Sequence, residues 1–226
     1  MTLFRSKPFR GRSIPGPDTL ADNESGVAAV EFVMIAPLLI GMYLGLAEMS
    51  LALNVDRQVA HSSSVAGDLV TQVAELDADD MADVFHAALR VSQVEDLNEF
   101  TMKIVSYEME DGDPVVVGEA YFNHDKRSML DEPNAEDFGS ELLSETSGVI
   151  VASVAYKYTP FGFKMQTAFD GEKGTFLSPT ITMRESFMLK PRRSSTVEFG
   201  ESEDDEYVVL KCSNKTVNCT SATKER

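Results

Sequence analysis

The sequence predicts an α+β protein in which a long membrane-spanning helix precedes a small antiparallel-sheet domain. Three observations support this fold class. Residues 32–47 form an apolar run without charge, and weakly polar flanks extend it to about 25 residues, enough to cross a bilayer. Apolar or small residues then recur every three or four positions as far as Leu76, which is a helical period. The second half of the chain alternates apolar and polar residues in short segments typical of strands.

The charges flanking the apolar run predict the orientation of the chain in a membrane. Four basic residues (Arg5, Lys7, Arg10 and Arg12) precede the run, with no acid before Asp18. By the positive-inside rule the amino terminus is cytoplasmic and the chain after Asn54 is exported. We therefore expect a single-pass membrane protein whose carboxyl-terminal part lies outside the cytoplasm. The expected divisions are a basic leader (1–26), a transmembrane helix (27–53), a helical stalk (54–95), a periplasmic α+β domain (96–195) and an acidic tail with a disulfide loop (196–226).

Two helices are predicted before the strands begin. No helix breaker separates the apolar run from the later stripe, so one helix is expected from Val27 to about Ala74, roughly 70 Å long at 1.5 Å per residue. Its stripe consists of Val55, Val59, Ser62, Ala66, Leu69, Val73 and Leu76. Asp77 is a suitable N-cap for a second helix, whose acidic first turn favours the helix dipole. The apolar face of this helix consists of Met81, Val84, Phe85, Ala88 and Leu89.

Strands are predicted from alternation and turn residues. A hairpin is expected where Phe100, Met102 and Ile104 alternate with polar residues ahead of the turn at 111–114. The segment from Asp131 to Ser147 is acidic and is expected to be a loop. A third strand is expected from Val149 to Tyr158, and a fourth from Thr180 to Leu189 with Ile181, Met183, Phe187 and Leu189 facing inward.

The net charge of the chain is strongly negative, which limits the kinds of partner that the chain is expected to bind. The formal charge is −17, and without residues 1–26, which hold four bases and three acids, it becomes −18. A surface of this sign argues against binding to nucleic acid or to anionic lipid headgroups through a charged face. It favours solubility of the exported part.

The two cysteines lie close together near the carboxyl terminus. Cys212 and Cys219 have six residues between them. In an oxidising periplasm we expect a disulfide, which would stabilise the chain by about 2.5 kcal/mol in the chain-entropy model. Two free thiols are the alternative. A metal site is not expected, because no histidine or further cysteine lies nearby.

The carboxylate of Glu31, at the start of the apolar run, requires a partner or a functional role. Placing Glu31 just inside a membrane helix costs about 2–4 kcal/mol on insertion scales. Gly26 precedes it by five residues and follows the basic leader. This pattern resembles the cleavage motif of type IV prepilins, which implies that a prepilin peptidase cuts after Gly26. The α-ammonium of Val27, with a reference pKa near 8, would then contact the Glu31 carboxylate of a neighbouring subunit.

Further residues give a more specific resemblance. Glu31-Phe32, the Ala36-Pro37-Leu38-Leu39 segment and the Gly41/Gly45 pair are similar to TadE/TadG-type proteins of the tight-adherence (Flp) pilus system. Glycines four residues apart provide a close helix-packing face, and Pro37 is expected to kink the helix. The Tyr-x-Tyr-x-Pro segment at 156–160 and the Pro-Arg pair at 191–192 extend the resemblance to about residues 24–195. The branch (TadE-, TadF- or TadG-type) stays open.

The resemblance implies a minor pseudopilin that assists assembly of a pilus. Its implied partners are other pilin or pseudopilin subunits, the prepilin peptidase and the inner-membrane assembly machinery. A pilin-like spine followed by a periplasmic domain is the implied architecture. The alternative hypothesis is an uncleaved, single-pass membrane protein whose periplasmic domain binds a ligand or acts as a sensor.

The sequence contains no pattern that predicts a catalytic site or a cofactor. His61 and Ser64 are neighbours on the predicted helix, but such neighbours lack the separate oxyanion donors that acyl transfer needs. His86 and His124 have no second ligand at metal spacing. We therefore expect a protein that is not an enzyme.

Overall fold

The computed structural model describes residues 25–94, 96–131, 142–144, 146–160, 180–200, 206–213 and 217–225. Most of the predicted leader, most of the loop between Asp131 and Ser147, and residues 201–205 of the acidic tail lie outside these ranges. The chain divides into two compact units, Met1–Ala47 and Glu48–Arg226. The helices are α1 (Ser25–Val70) and α2 (Ala78–Ser92), with 3-10 helices at Leu97–Glu99 and His124–Met129. The strands are β1 (Phe100–Glu110), β2 (Asp113–Phe122), β3 (Val149–Tyr158), β4 (Ile181–Leu189), β5 (Glu206–Cys212) and β6 (Cys219–Glu225).

The described part of the first unit is the amino-terminal half of α1. The helix is apolar on all sides, and its large side chains from Val27 to Leu46 are 43–76% exposed. Among the described helices, α1 alone is long and apolar enough to cross a membrane. The predicted fold class, a long apolar helix followed by a sheet domain, is confirmed.

In the second unit, the rest of α1 contributes to the hydrophobic core. Val59, Ser62 and Ala66 are fully buried, and Val55, Leu69 and Val73 pack against the core from its margin. The predicted stripe is therefore the face of α1 that contacts the sheet domain. Residues 54–94, the region predicted to be a helical stalk, lie in the same unit as the strands.

The first helix ends at Val70, a few residues before the predicted end near Ala74. The amides of Gln72 and Val73 bond to carbonyls three residues earlier, so the last turn tightens and the helix stops. The chain then pairs with a later segment, because Leu76 N–H donates to the Glu198 carbonyl (2.9 Å) and Glu198 N–H donates to the Ala74 carbonyl (3.1 Å). This pairing was not visible in the helical period of the sequence.

The second helix begins as predicted. The Asp77 carboxylate accepts a hydrogen bond from the Asp80 amide (2.8 Å), which satisfies one of the free donors of the first turn. Met81, Val84, Phe85 and Ala88 are buried against the sheet, and Leu89 packs at the margin.

All six strands form one sheet in the order β4-β3-β1-β2-β5-β6. Four of the five strand pairs are antiparallel, but β5 pairs parallel to β2, so the sheet is mixed. The region predicted to be a separate acidic tail supplies β5 and β6, and Tyr207–Leu210 are buried in the sheet. The sheet therefore continues past residue 195, the predicted end of the α+β domain.

The hairpin and the long third strand agree with the sequence analysis. β1 and β2 are joined by a two-residue turn in which Asp111 (φ 52°) and Gly112 (φ 90°) both have left-handed backbone angles, the geometry that matches strand twist. β3 spans Val149–Tyr158, the predicted range, and residues 149–156 are all buried because the strand lies inside the sheet.

The fourth strand departs from the predicted pattern. Met183 is buried, but Ile181 (44%) and Phe187 (42%) are exposed, although both were expected to face inward. β4 forms one edge of the sheet and pairs with β3 alone among the described strands. The alternation of apolar and polar residues therefore predicts correctly which side chains of β4 share one face of the sheet. It predicts their burial wrongly, because an edge strand has a neighbouring strand on one side only.

A close contact at Gly118 allows a test of this core. A Cβ atom added to Gly118 in β2 would lie 2.8 Å from the ring of Phe199, closer than carbon atoms approach. Gly118→Ala should therefore destabilise the sheet domain by about 1–3 kcal/mol through overpacking. Thermal unfolding of the full chain in detergent, followed by near-UV circular dichroism, measures this effect. The control is Gly45→Ala, where no atom lies within 4 Å, and equal melting temperatures for the two variants would contradict the packing described.

Candidate functional site at the amino-terminal helix

The predicted cleavage bond lies in the first turn of α1. The helix begins at Ser25, so Gly26 and Val27 are among the residues whose amides have no partner within the helix. Val27 is 57% exposed, and a Cβ at Gly26 would have open space around it. The ends of helices unwind at a low cost in free energy. A protease could therefore bind the backbone around the Gly26–Val27 bond in an extended conformation without unfolding the rest of α1.

Glu31 lies one helical turn after Val27 and on the same face. Residues four apart on a helix are neighbours, with Cβ atoms about 5–6 Å apart. Glu31 and Phe32 are both exposed, and Phe32 is 67% exposed. The Glu31 side chain and the predicted new amino terminus at Val27 therefore lie on the same exposed face of α1.

The residues predicted to pack and kink the helix are also uncovered. Gly41 and Gly45 have no atom within 4 Å of an added Cβ, so together they leave a shallow strip on the helix. A second helix can approach closely along such a strip. Pro37 lies inside α1, which is helical on both sides of it.

The next acid, Glu48, connects α1 to the end of β3. The Tyr158 hydroxyl donates to the Glu48 carboxylate across 2.9 Å. Glu48 lies within the range 27–53 predicted to span the membrane, yet its side chain is bonded to the sheet domain. This contact was not predicted from the sequence, although a lone acid directly follows the uncharged run and the Tyr-x-Tyr-x-Pro motif supplies its partner.

The Pro-Arg motif also contacts α1. The Arg192 amide donates to the Thr71 carbonyl (2.9 Å), and the Arg192 guanidinium pairs with the Asp68 carboxylate. A cation near the carboxyl end of a helix is favourable for the helix dipole. Both short motifs of the second half therefore hold α1 against the sheet domain, at Glu48 and at its carboxyl end.

The polar residues that resemble a catalytic triad are not assembled into one. Ser62 and Ser63 donate to carbonyls three residues earlier (2.7 and 2.8 Å), and His61 is exposed. His86 is exposed on α2, whereas His124 packs edge-on against Tyr121 with ring centroids 5.0 Å apart. Burial and the nearby Arg127 and Lys211 lower the pKa of His124. Within the described ranges, no cluster of three or more histidine, cysteine or acidic side chains could hold a metal ion.

One buried charge cluster lies on the sheet away from the helix-covered core. Lys103 pairs with Glu119 (3.2 Å), and the Tyr121 hydroxyl donates to the same carboxylate (3.3 Å). Burial lowers the pKa of Lys103, but Glu119 and Tyr121 outweigh this effect and hold the pKa above its usual range. A lysine that stays protonated is not a nucleophile, so the cluster is a structural ion pair.

The two cysteines are bonded to each other in the structure. Cys212 at the end of β5 and Cys219 at the start of β6 are directly opposite in the strand register. The disulfide therefore closes the loop between the last two strands of the sheet.

These features define a long apolar helix, compatible with a single-pass membrane anchor, whose carboxyl-terminal half is part of a mixed-sheet domain. The family model of TadE-like proteins matches residues 26–68, from the predicted cleavage glycine to Asp68 in the sheet domain. The match confirms the resemblance over this segment and is consistent with a TadE-like protein of the tight-adherence pilus system. No curated protein matches the chain. No solved structure matches it either.

The contact between Tyr158 and Glu48 can be tested by removing one hydroxyl. A hydrogen bond to a charged group contributes about 1.5–3 kcal/mol. Tyr158→Phe should therefore lower the free energy of unfolding by about that amount and increase amide hydrogen exchange in α1 around residues 48–58. Tyr43→Phe is the matched control, because Tyr43 lies on the same helix as Glu48 and is 73% exposed. Unchanged exchange around Glu48 in Tyr158→Phe would show that the bond does not hold α1 in place.

Proposed function

We propose that this protein is a minor pseudopilin that assists assembly of a tight-adherence (Flp-type) pilus and is processed by a prepilin peptidase after Gly26. One observation carries the proposal. The matched TadE-like segment begins at Gly26, and Glu31 follows at the prepilin spacing on the exposed first turns of an all-round apolar helix. A TadE-like segment on a candidate transmembrane helix supports a role in the pilus system as the broader statement.

The proposed location follows from the helix and the charges of the sequence. The apolar half of α1 crosses the inner membrane with the basic leader in the cytoplasm, and the sheet domain lies in the periplasm. The disulfide between Cys212 and Cys219 is compatible with an oxidising compartment. In this arrangement the bond after Gly26 lies at the cytoplasmic face, where a prepilin peptidase cuts.

The proposed role of Glu31 is electrostatic. An exposed carboxylate at the edge of a hydrocarbon layer is costly, and a cation beside it reduces the cost. After cleavage, the α-ammonium of Val27 on an adjacent subunit would be that cation. The contact would fix the axial position of one subunit relative to the next, while Gly41 and Gly45 would allow the helices to approach.

The proposed partners are pilin or pseudopilin subunits, the prepilin peptidase and the inner-membrane assembly machinery. We propose that the protein is not an enzyme, which the serine hydroxyls bonded within α1 and the protonated Lys103 support. An uncleaved, membrane-anchored binding or sensory domain is the second candidate. A cavity of about 470 Å³ in the sheet domain, lined by α1 and by the end of β3, supports this second candidate.

The amino terminus of the mature protein separates the two candidates. Protein purified from its native membrane should begin at Val27, and intact mass with amino-terminal sequencing measures this directly. Gly26→Val should leave the leader in place, because a β-branched side chain hinders close approach of the protease. Gly41→Ala is the control and should be processed normally. A wild-type protein that begins at Met1 would contradict the pseudopilin proposal.

A second test separates processing from assembly. Glu31→Ala should be cut after Gly26 as in the wild type, but pilus assembly should fall about tenfold, as expected for the loss of about 1.4 kcal/mol per subunit contact. Counting surface pili, alongside amino-terminal sequencing of the same cells, measures both effects. Tyr43→Phe serves as the control on the same exposed helix. Normal piliation in Glu31→Ala would remove the proposed subunit contact.

A further inference from the structure

The last strand of the sheet has one open edge. β6 pairs with β5 alone among the described strands, and the side chains from Thr220 to Lys224 are all exposed. Its pairing with β5 runs residue for residue along the whole strand, without a bulge. β6 contains no proline, and its exposed side chains are small apart from Lys224. A regular edge of this kind is a template on which an extended segment of another chain can pair.

The hydrogen bonds of the β5–β6 hairpin identify the backbone groups on this open edge. Ser213 N–H donates to the Asn218 carbonyl (3.0 Å), so this pair is a hydrogen-bonded one. Hydrogen-bonded and non-hydrogen-bonded pairs alternate along an antiparallel ladder. The disulfide-bonded pair comes next and is therefore non-hydrogen-bonded, in agreement with its short Cα–Cα distance of 3.9 Å. By the same alternation, the backbone amides and carbonyls of Ser221 and Thr223 point away from β5, toward the open edge.

The disulfide holds this edge in place before any partner arrives. Cys212 and Cys219 are opposite each other in the strand register and join one end of β6 covalently to β5. A binding surface that is already ordered has a lower entropy cost on association. The edge of β6 is therefore preorganised for strand pairing.

Two lysines determine which charge a partner needs on one face of the sheet. Lys224 lies opposite Tyr207, and Lys211 lies opposite Thr220, so the two lysines are on the same face. Both are exposed, and within the described ranges neither forms an ion pair. The Nζ atom of Lys224 lies 5.5 Å from the centre of the Tyr207 ring, a cation–π contact that keeps this lysine on that face.

A strand paired with the open edge would bring its side chains within reach of both lysines. The partner residue opposite Lys224 would be its direct cross-strand neighbour. Lys211 is two strand spacings, about 10 Å, from the position of the partner strand, and only the small Thr220 lies between them. The long lysine side chain can extend over it toward an acid. Thr220 and Lys224 are four residues apart, about 13 Å, so acids four residues apart on one face of the partner would meet both lysines.

The other face of the same edge excludes acids. A groove lies there between β6 and the start of α2, and its lining includes Phe199 and Leu210 together with Asp77 and Asp79. The two carboxylates would repel an acidic side chain, whereas the apolar residues accept an uncharged one. The two faces of the edge therefore require different side chains at alternate positions of a partner strand.

We propose that the open edge of β6 binds an extended segment of a partner protein that alternates acidic and uncharged side chains. The acids lie on the lysine face, and the uncharged side chains lie in the groove. A second copy of this chain fits poorly, because an antiparallel β6 centred on Ala222 would bring its Lys224 opposite Thr220 and close to Lys211. The inference requires neither a membrane nor cleavage after Gly26.

A peptide probe tests the charge of the partner. The probe is a short fluorescein-labelled peptide of alternating glutamate and threonine, added to the full chain in detergent, and fluorescence anisotropy measures its dissociation constant. A peptide of alternating lysine and threonine should bind at least about tenfold more weakly. Lys211→Glu combined with Lys224→Glu should reverse this preference. Lys190→Glu combined with Arg193→Glu, an equal change of charge at exposed residues outside β5 and β6, is the matched control and should behave as the wild type.

Two results of this experiment would overturn the proposal. One is equal binding of the acidic and the basic peptide by the wild type. The other is an unchanged preference for the acidic peptide in the double variant of Lys211 and Lys224.

N-methylated peptides test whether the partner pairs as a strand. The amides of an extended chain point alternately to its two edges, so methyl groups on the glutamate amides or on the threonine amides block one edge only. One of the two methylated peptides should bind at least about tenfold more weakly, and the other should bind as the unmethylated peptide does. Equal binding of both would show attraction between charges alone and would overturn strand pairing.

A proline in β6 tests the same pairing from the side of the protein. Thr223→Pro removes an amide that points to the open edge and leaves the bonds to β5 intact, whereas Thr223→Val keeps the amide. With unchanged melting temperatures, only the proline variant should lose the peptide, and normal binding by this variant would overturn the site. Native mass spectrometry without peptide completes the test, because a wild-type dimer that Thr223→Pro separates would assign the edge to a second copy and overturn the proposed partner.

Discussion

The structure depends on one helix that has two different patterns of exposure. Over residues 27–46 the large side chains of α1 are exposed on every side, which is compatible with a helix in lipid. From Glu48 onward the same helix buries a stripe against a sheet, which requires an amphipathic pattern. The change occurs without a break in the backbone, so the position of the change must be fixed by side chains. Glu48 with Tyr158, and Asp68 with Arg192, are the contacts that bracket the sheet-bound half.

These contacts give the two short motifs of the second half a physical meaning. The tyrosine of the Tyr-x-Tyr-x-Pro segment and the arginine of the Pro-Arg pair both reach acids of α1 that lie twenty residues apart. The matched TadE-like segment, 26–68, ends at the second of these acids. The part of the chain that the family model describes is therefore the helix together with the acids through which the domain holds it.

Local patterns were sufficient to predict much of this fold. The period of three and four residues gave the buried face of α1, the capping carboxylate of Asp77 gave the start of α2, and the Asp-Gly turn gave the hairpin. Non-local facts were not accessible in this way. Neither the parallel pairing of β5 with β2 nor the edge position of β4 has a signature in a single strand, so the tail was separated from its sheet and Phe187 was placed inside. At the candidate site, the roles of Gly26 and Glu31 stay predictions from spacing, and the contact of Glu48 was not predicted because its partner is 110 residues away.

The position of β5 has a consequence for the order in which the sheet is completed. β5 covers the side of β2 that faces away from β1, and it is separated from β2 by most of the domain in sequence. Until residues 206–212 pair with β2, that strand has an open row of amide and carbonyl groups, which is the kind of edge that recruits strands of other chains. Early synthesis of β1 and β2 therefore leaves an aggregation-prone edge that only the late pairing of β5 removes.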